Sequence, residues 1–75
     1  MATIKHTDGI HSAMKTAAQA IKAGAAPSFS TASYEELVLG QMVEYGYICE
    51  ATGAEGVAAM GTRIALTAKG LQVAS

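Results

Sequence analysis

SYEELVLGQMVEYGYI, residues 33–48, decides the architecture of this chain. Ser33 followed three residues later by Glu36 has the spacing of a capping box, in which two side chains cover orphan backbone N–H groups at a helix start. The spacing predicts a helix over 34–45, closed by Gly46 in the left-handed conformation that a residue without a Cβ adopts freely. At about 100° per residue, Tyr34, Leu37, Val38, Leu39, Met42, Val43 and Tyr45 cover roughly two-thirds of its circumference. Only Glu36, Gly40 and Glu44, spaced i, i+4, i+8, make a continuous polar strip. A helix apolar nearly all round is either central in its fold or packs against something outside it. So short a chain has little with which to cover it, so an outward-facing apolar surface is expected here.

Upstream, residues 1–6 read as an extended lead-in or a short edge strand. Thr7 or Asp8 then offers an N-cap, and Asp8 also suits the positive end of a helix dipole. Ile10, Met14, Ala17, Ala18 and Ile21 recur on one face, within an arc of about 100°, with His11, Lys15, Gln19 and Lys22 on the adjoining flank. Gly24 supplies a stop and Pro27 prevents continuation. In the loop AAPSFST, residues 25–31, Phe29 is the one large side chain. It either plugs the edge of the core or serves as an exposed anchor for a partner.

Downstream, YICEA at 47–51 is β-prone, and TRIAL at 62–66 alternates like a half-buried strand. The glycine-punctuated TGAEGVAAMG between them, 52–61, reads as the long tip of a hairpin across which Glu50 and Arg63 pair. Thr67 caps a last helix, 68–73, with Leu71 as its main apolar residue. The expected architecture is a single α+β domain over residues 1–75: two helices, a β-hairpin and a short C-terminal helix.

Composition sets the limits. In 75 residues, 51% are nominally hydrophobic, but much of that is alanine, which buries little area. Such a domain is near the lower size limit for a single core and gains missing burial from a partner or a second copy. The net charge is −1, and the five Lys and Arg are spread along the chain rather than clustered as phosphate binding requires. The one cysteine, Cys49, has no internal disulfide partner, which with the lack of a signal-peptide pattern suggests a reducing, cytoplasmic setting. No apolar run is long enough to cross a bilayer.

Catalytic and metal-binding constellations are absent from the pattern. His6 and His11 are five residues apart and diverge on a helix, so no metal site and no cofactor are expected. The single Asp and both His fall within the first eleven residues, and there is no nucleophile elbow. Glu36 and Glu44 are explained by a solvated strip without an acid–base role. Gly53, Gly56 and Gly61 match neither phosphate-binding glycine pattern. The chain reads as non-enzymatic, with no catalytic residues.

Glu44-Tyr45-Gly46-Tyr47-Ile48, a hairpin, and then Ile64-Ala65-Leu66-Thr67-Ala68-Lys69-Gly70 resemble the second half of a winged-helix domain. The resemblance covers residues 34–71 and implies a recognition helix, a strand, a wing and a strand entering the next helix. It departs from the family between Gly24 and Ser33, where the gap exceeds a helix-turn-helix turn and the middle helix is missing or reduced to a turn. It departs again in charge: the presumed recognition helix carries Glu36 and Glu44 and no Arg or Lys to read bases.

Two functions follow. The first is a protein-binding module, self-associating as a homodimer or acting as a small accessory inhibitor of the kind phages encode. Its contacts are expected at Phe29, Tyr34, Leu39, Val43, Tyr45 and Tyr47. The alternative is a dimeric DNA-binding regulator of the winged-helix class, which requires Lys15, Lys22, Arg63 and Lys69 to converge on one surface. Fold resemblance favours the second and electrostatics the first.

Overall fold

A computed structural model describes residues 3–53 and 55–75. Residues 1 and 2 of the expected lead-in and Ala54 of the expected hairpin tip lie outside the described residues. The elements, in chain order, are α1 (Ile10–Lys22), α2 (Ala32–Glu44), β1 (Ile48–Glu50), β2 (Val57–Ala59), β3 (Thr62–Leu66) and α3 (Ala68–Ala74). The class is α+β.

The chain start is held against the loop between the first two helices. Ile4 bridges Phe29 in parallel. The Ile4 N–H donates to the Ser28 carbonyl at 2.8 Å, and the Ser30 N–H donates to the Ile4 carbonyl at 2.9 Å. Neither Thr7 nor Asp8 caps α1. The Asp8 carboxylate accepts the Lys5 N–H at 3.1 Å and closes the preceding turn, which leaves Gly9 at the N-cap without a side-chain bond.

The expected capping box is also displaced. Thr31, not Ser33, caps α2, its hydroxyl accepting the Tyr34 N–H at 3.1 Å. Ser33 therefore lies inside the first turn, out of register with Glu36. Thr31 has a second tie that Ser33 lacks: its hydroxyl meets His6 Nε2 at 2.7 Å. The Tyr34 hydroxyl donates to the Asp8 carbonyl at 2.9 Å, and the His6 ring lies over Tyr34 with centroids 4.3 Å apart. The lead-in and the start of α2 thus hold each other.

Both long helices stop where glycine predicts. Gly24 and Gly46 have φ of 82° and 76°. The N–H groups of Gly24 and Ala25 return to the Ile21 and Ala20 carbonyls, and those of Gly46 and Tyr47 return to Val43 and Met42. This 5→2, 6→1 pattern satisfies carbonyls that the helix end leaves free. Residues 23–31 contain no helix, so the middle helix of a helix-turn-helix is absent there.

The segment 66–70 closes over the end of α2. Thr67 caps α3 by accepting the Gly70 N–H at 3.1 Å, and its hydroxyl donates to the Gly46 carbonyl. Its own N–H donates to the Tyr47 carbonyl at 3.0 Å, and Lys69 Nζ lies 3.4 Å from the Tyr45 carbonyl. One threonine therefore caps one helix and satisfies the terminus of another. Leu71, the main apolar residue of α3, is exposed, and the buried residues of that helix are Gly70 and Ala74. The small residues admit close approach where Leu71 would not fit.

The expected hairpin is a three-stranded antiparallel sheet in the order β1-β3-β2. Ile48 pairs with Leu66, Cys49 with Ala65 and Glu50 with Ile64. Part of the expected tip returns as β2, pairing Val57 with Ile64, Ala58 with Arg63 and Ala59 with Thr62. The two-residue turn Met60-Gly61, with φ of 52° and 75°, has both central residues left-handed, the geometry that matches strand twist in tight hairpins. The expected Glu50–Arg63 pair does not form, because Glu50 faces Ile64 and Arg63 lies on the opposite face of the sheet. Arg63 instead donates from Nε to the Glu55 carbonyl and from Nη2 to the Gly56 carbonyl, both at 2.9 Å.

Side-chain alternation puts Ile48, Glu50, Val57, Ala59, Thr62, Ile64 and Leu66 on one face of the sheet. Ile48, Val57 and Ile64 on that face join Ala13, Met14, Ala17, Ala18 and Ile21 of α1 and Tyr34, Val38, Leu39 and Met42 of α2 in the core. The largest fully buried side chains are Met14, Met42 and Val38. Flexible thioethers fill the centre where branched residues are scarce.

Candidate docking groove

The apolar excess of α2 is divided by its packing. Tyr34 and Leu39, expected as partner contacts, are 3% and 4% exposed. They are core residues, because the buried arc of α2 is centred between Tyr34 and Leu39 and the N-terminal segment covers Tyr34. Leu37, Val43 and Tyr45 are exposed, Val43 at 57%. On the helix wheel Leu37 and Val43 are about 120° apart, with Glu36, Gly40 and Glu44 between them. The outward surface of α2 is therefore two apolar edges flanking a polar strip, not one continuous apolar face.

The edge marked by Val43 forms one wall of a groove of about 320 Å³. Leu39 and Ile48 contribute its floor, and Ile64, Ala59 and Met60 form the sheet wall, with Glu36, Gly40 and Thr62 also lining it. Two of these residues are costly to folding. Gly40 sits in the middle of a helix, where it is about 1 kcal/mol worse than alanine. A Cβ built on it meets nothing within 4 Å, so no packing demands a glycine there. Met60 is the one described non-glycine residue with positive φ, at a turn position that asparagine or glycine occupies with less strain. Its side chain is 52% exposed. Gly40→Ala is expected to raise the stability by about 1 kcal/mol, read as a higher urea midpoint. Met60→Asn should give a smaller gain, since relief of strain is offset by lost apolar contact. A fall in the midpoint for Gly40→Ala would show that the open helix wall has a structural use.

The other expected contacts are dispersed. Phe29 is half-buried and packs edge-on to Tyr34, centroids 6.1 Å apart, as a plug at the core's edge. Tyr45 and Tyr47 stack on each other with centroids 5.6 Å apart, Tyr45 exposed and Tyr47 half-buried. Of the cations in the DNA-binding alternative, Lys15 and Lys22 share the exposed side of α1. Lys69 is drawn to the Tyr45 carbonyl and Arg63 to the loop before β2.

Sequence reasoning missed Gly40 and Met60 as groove residues. The Met60-Gly61 pair directly before the β-prone run 62–66 is the available signal of a tight turn. A second depression of about 300 Å³, lined by residues including Ile4, Thr16, Gln19 and Ala23, offers small side chains and no cluster of functional groups. Among the described residues, no three His, Cys, Asp or Glu side chains gather as metal ligands, and no helix is long and apolar enough to cross a membrane. Compared with family models, curated proteins and solved structures, the chain matches none.

Proposed function

We propose that this chain is a protein-binding module whose docking surface is the groove between α2 and the β2–β3 turn. The observation that carries this reading is that Gly40 and Met60, both costly to folding, line the same groove. Strained or locally unfavourable residues that packing does not require cluster at functional sites. Met60 supplies an adaptable apolar contact at the groove's rim and Val43 a stiff one. A chain of this kind acts by occupying a partner's surface, as accessory inhibitors do.

The test is capture of interacting proteins by the wild type, by Val43→Asp and by Met60→Asp. Ala58→Asp, on the opposite face of the sheet, is the control. The expected result is a bound protein lost with both groove variants and kept with the control. Sedimentation of the same four proteins identifies self-association if the wild type is a dimer that the groove variants dissociate. Capture unaffected by the groove variants would sink the reading. Salt-sensitive binding of a random DNA duplex that survives Val43→Asp would replace it with the winged-helix regulator.

A further inference from the structure

We infer that the occupant of this groove is a basic amphipathic helix from another protein, with aliphatic anchors on one face and Lys or Arg flanking them. The inference rests on the groove being the docking surface and adds the partner's chemistry from the charge around it. The one charged residue lining the groove is Glu36. The polar strip of α2 that borders the groove carries Glu36 and Glu44 and no cation. Glu50 shares the groove face of the sheet, directly opposite Ile64 of the groove wall. No Lys or Arg lines the groove. An apolar trough with a rim of one sign attracts a segment of the opposite sign and repels its own kind.

The same rim argues against a second copy. An isologous contact through this groove would set Glu36 and its neighbours against the identical carboxylates of the partner. The form of the occupant follows from the walls. A strand partner would need an edge to pair with, and β2 has only three residues, a length that limits templating. A trough between a helix and a hairpin takes an amphipathic helix through anchors at i, i+3/i+4 and i+7.

The experiment uses two synthetic peptides with the same leucine-lined face, one with lysine and the other with glutamate at every polar position. Each is titrated into the full ¹⁵N-labelled chain at low and at physiological salt. The lysine peptide should shift the amides of Gly40, Val43, Thr62 and Ile64 and bind at least about tenfold more tightly than the glutamate peptide at low salt. That gap should narrow with salt and with Glu36→Gln. Val43→Asp should abolish the aliphatic contact; a lysine peptide indifferent to it would overturn the inference. Equal binding of both peptides at the groove amides would overturn the charge argument while leaving the groove as the docking surface. Shifts of the groove amides by neither peptide would overturn both.

Discussion

Gly70→Ala should unfold the protein, or leave it with little residual stability at 25 °C. In most helices this change is favourable by about 1 kcal/mol, and here the sign is reversed. A Cβ at Gly70 would fall inside the van der Waals envelope of the Tyr47 carbonyl oxygen and lie 2.8 Å from Leu66 Cδ2. The leucine tip can rotate away, but the carbonyl cannot, because it accepts the Thr67 N–H at 3.0 Å. Relief requires α3 to move off the end of α2, breaking the Thr67 bonds to Gly46 and Tyr47. Overpacking of this kind costs about 1–3 kcal/mol, and more when backbone has to shift. Against a total of about 4–11 kcal/mol for a chain of this length, and a core made largely of alanine and methionine, that loss is severe. Urea denaturation followed by circular dichroism measures it. An unchanged midpoint would mean that α3 does not lie against Tyr47, and the account of residues 66–70 would fall with it.

That contact also shows how much was legible before the structure. The Gly46 stop, Thr67 cap and neighbouring Gly70 were all readable as local chemistry. Their joining into one closure was not, because it depends on the distance between α2 and α3. Helix ends separated in the same way. Gly24 and Gly46 were predictable because left-handed φ is a property of one residue. The N-caps of α1 and α2 fall elsewhere than expected because several Ser, Thr and Asp residues compete for each cap, and tertiary bonds decide. Thr31 prevails through His6, twenty-five residues away in sequence.

The third strand was hidden for another reason. Ala58 and Ala59 have little strand propensity of their own, and pairing with β3 supplies the template. The groove was half visible. Val43 stood out on the wheel, but a helix apolar over most of its circumference does not declare which arc will be covered. Tyr34 and Leu39 therefore share its apolar arc on the wheel, and packing alone divides them.

Met42→Ala should remove about 2–5 kcal/mol of stability, the usual range for truncating a fully buried long side chain. Met42 is 0% exposed and sits on the buried arc of α2 with Val38, in a chain without tryptophan whose one phenylalanine, Phe29, is only half-buried. The loss combines the transfer of the missing apolar atoms with the cavity left behind, and the cavity part depends on whether neighbours close in. Here the neighbours oppose collapse. Met42's carbonyl accepts the Tyr47 N–H at 2.8 Å, and the same turn is held to α3 by Thr67, so α2 cannot slide inward without breaking its own terminus. Met42→Leu, which nearly conserves volume, should cost less than about 1.5 kcal/mol. The contrast between the two variants in urea midpoint separates cavity formation from any special need for sulfur. A Met42→Ala loss below about 1 kcal/mol would show that the core relaxes freely around α2. The groove walls would then not be rigid, and the docking surface would have to be formed by its partner rather than offered to it.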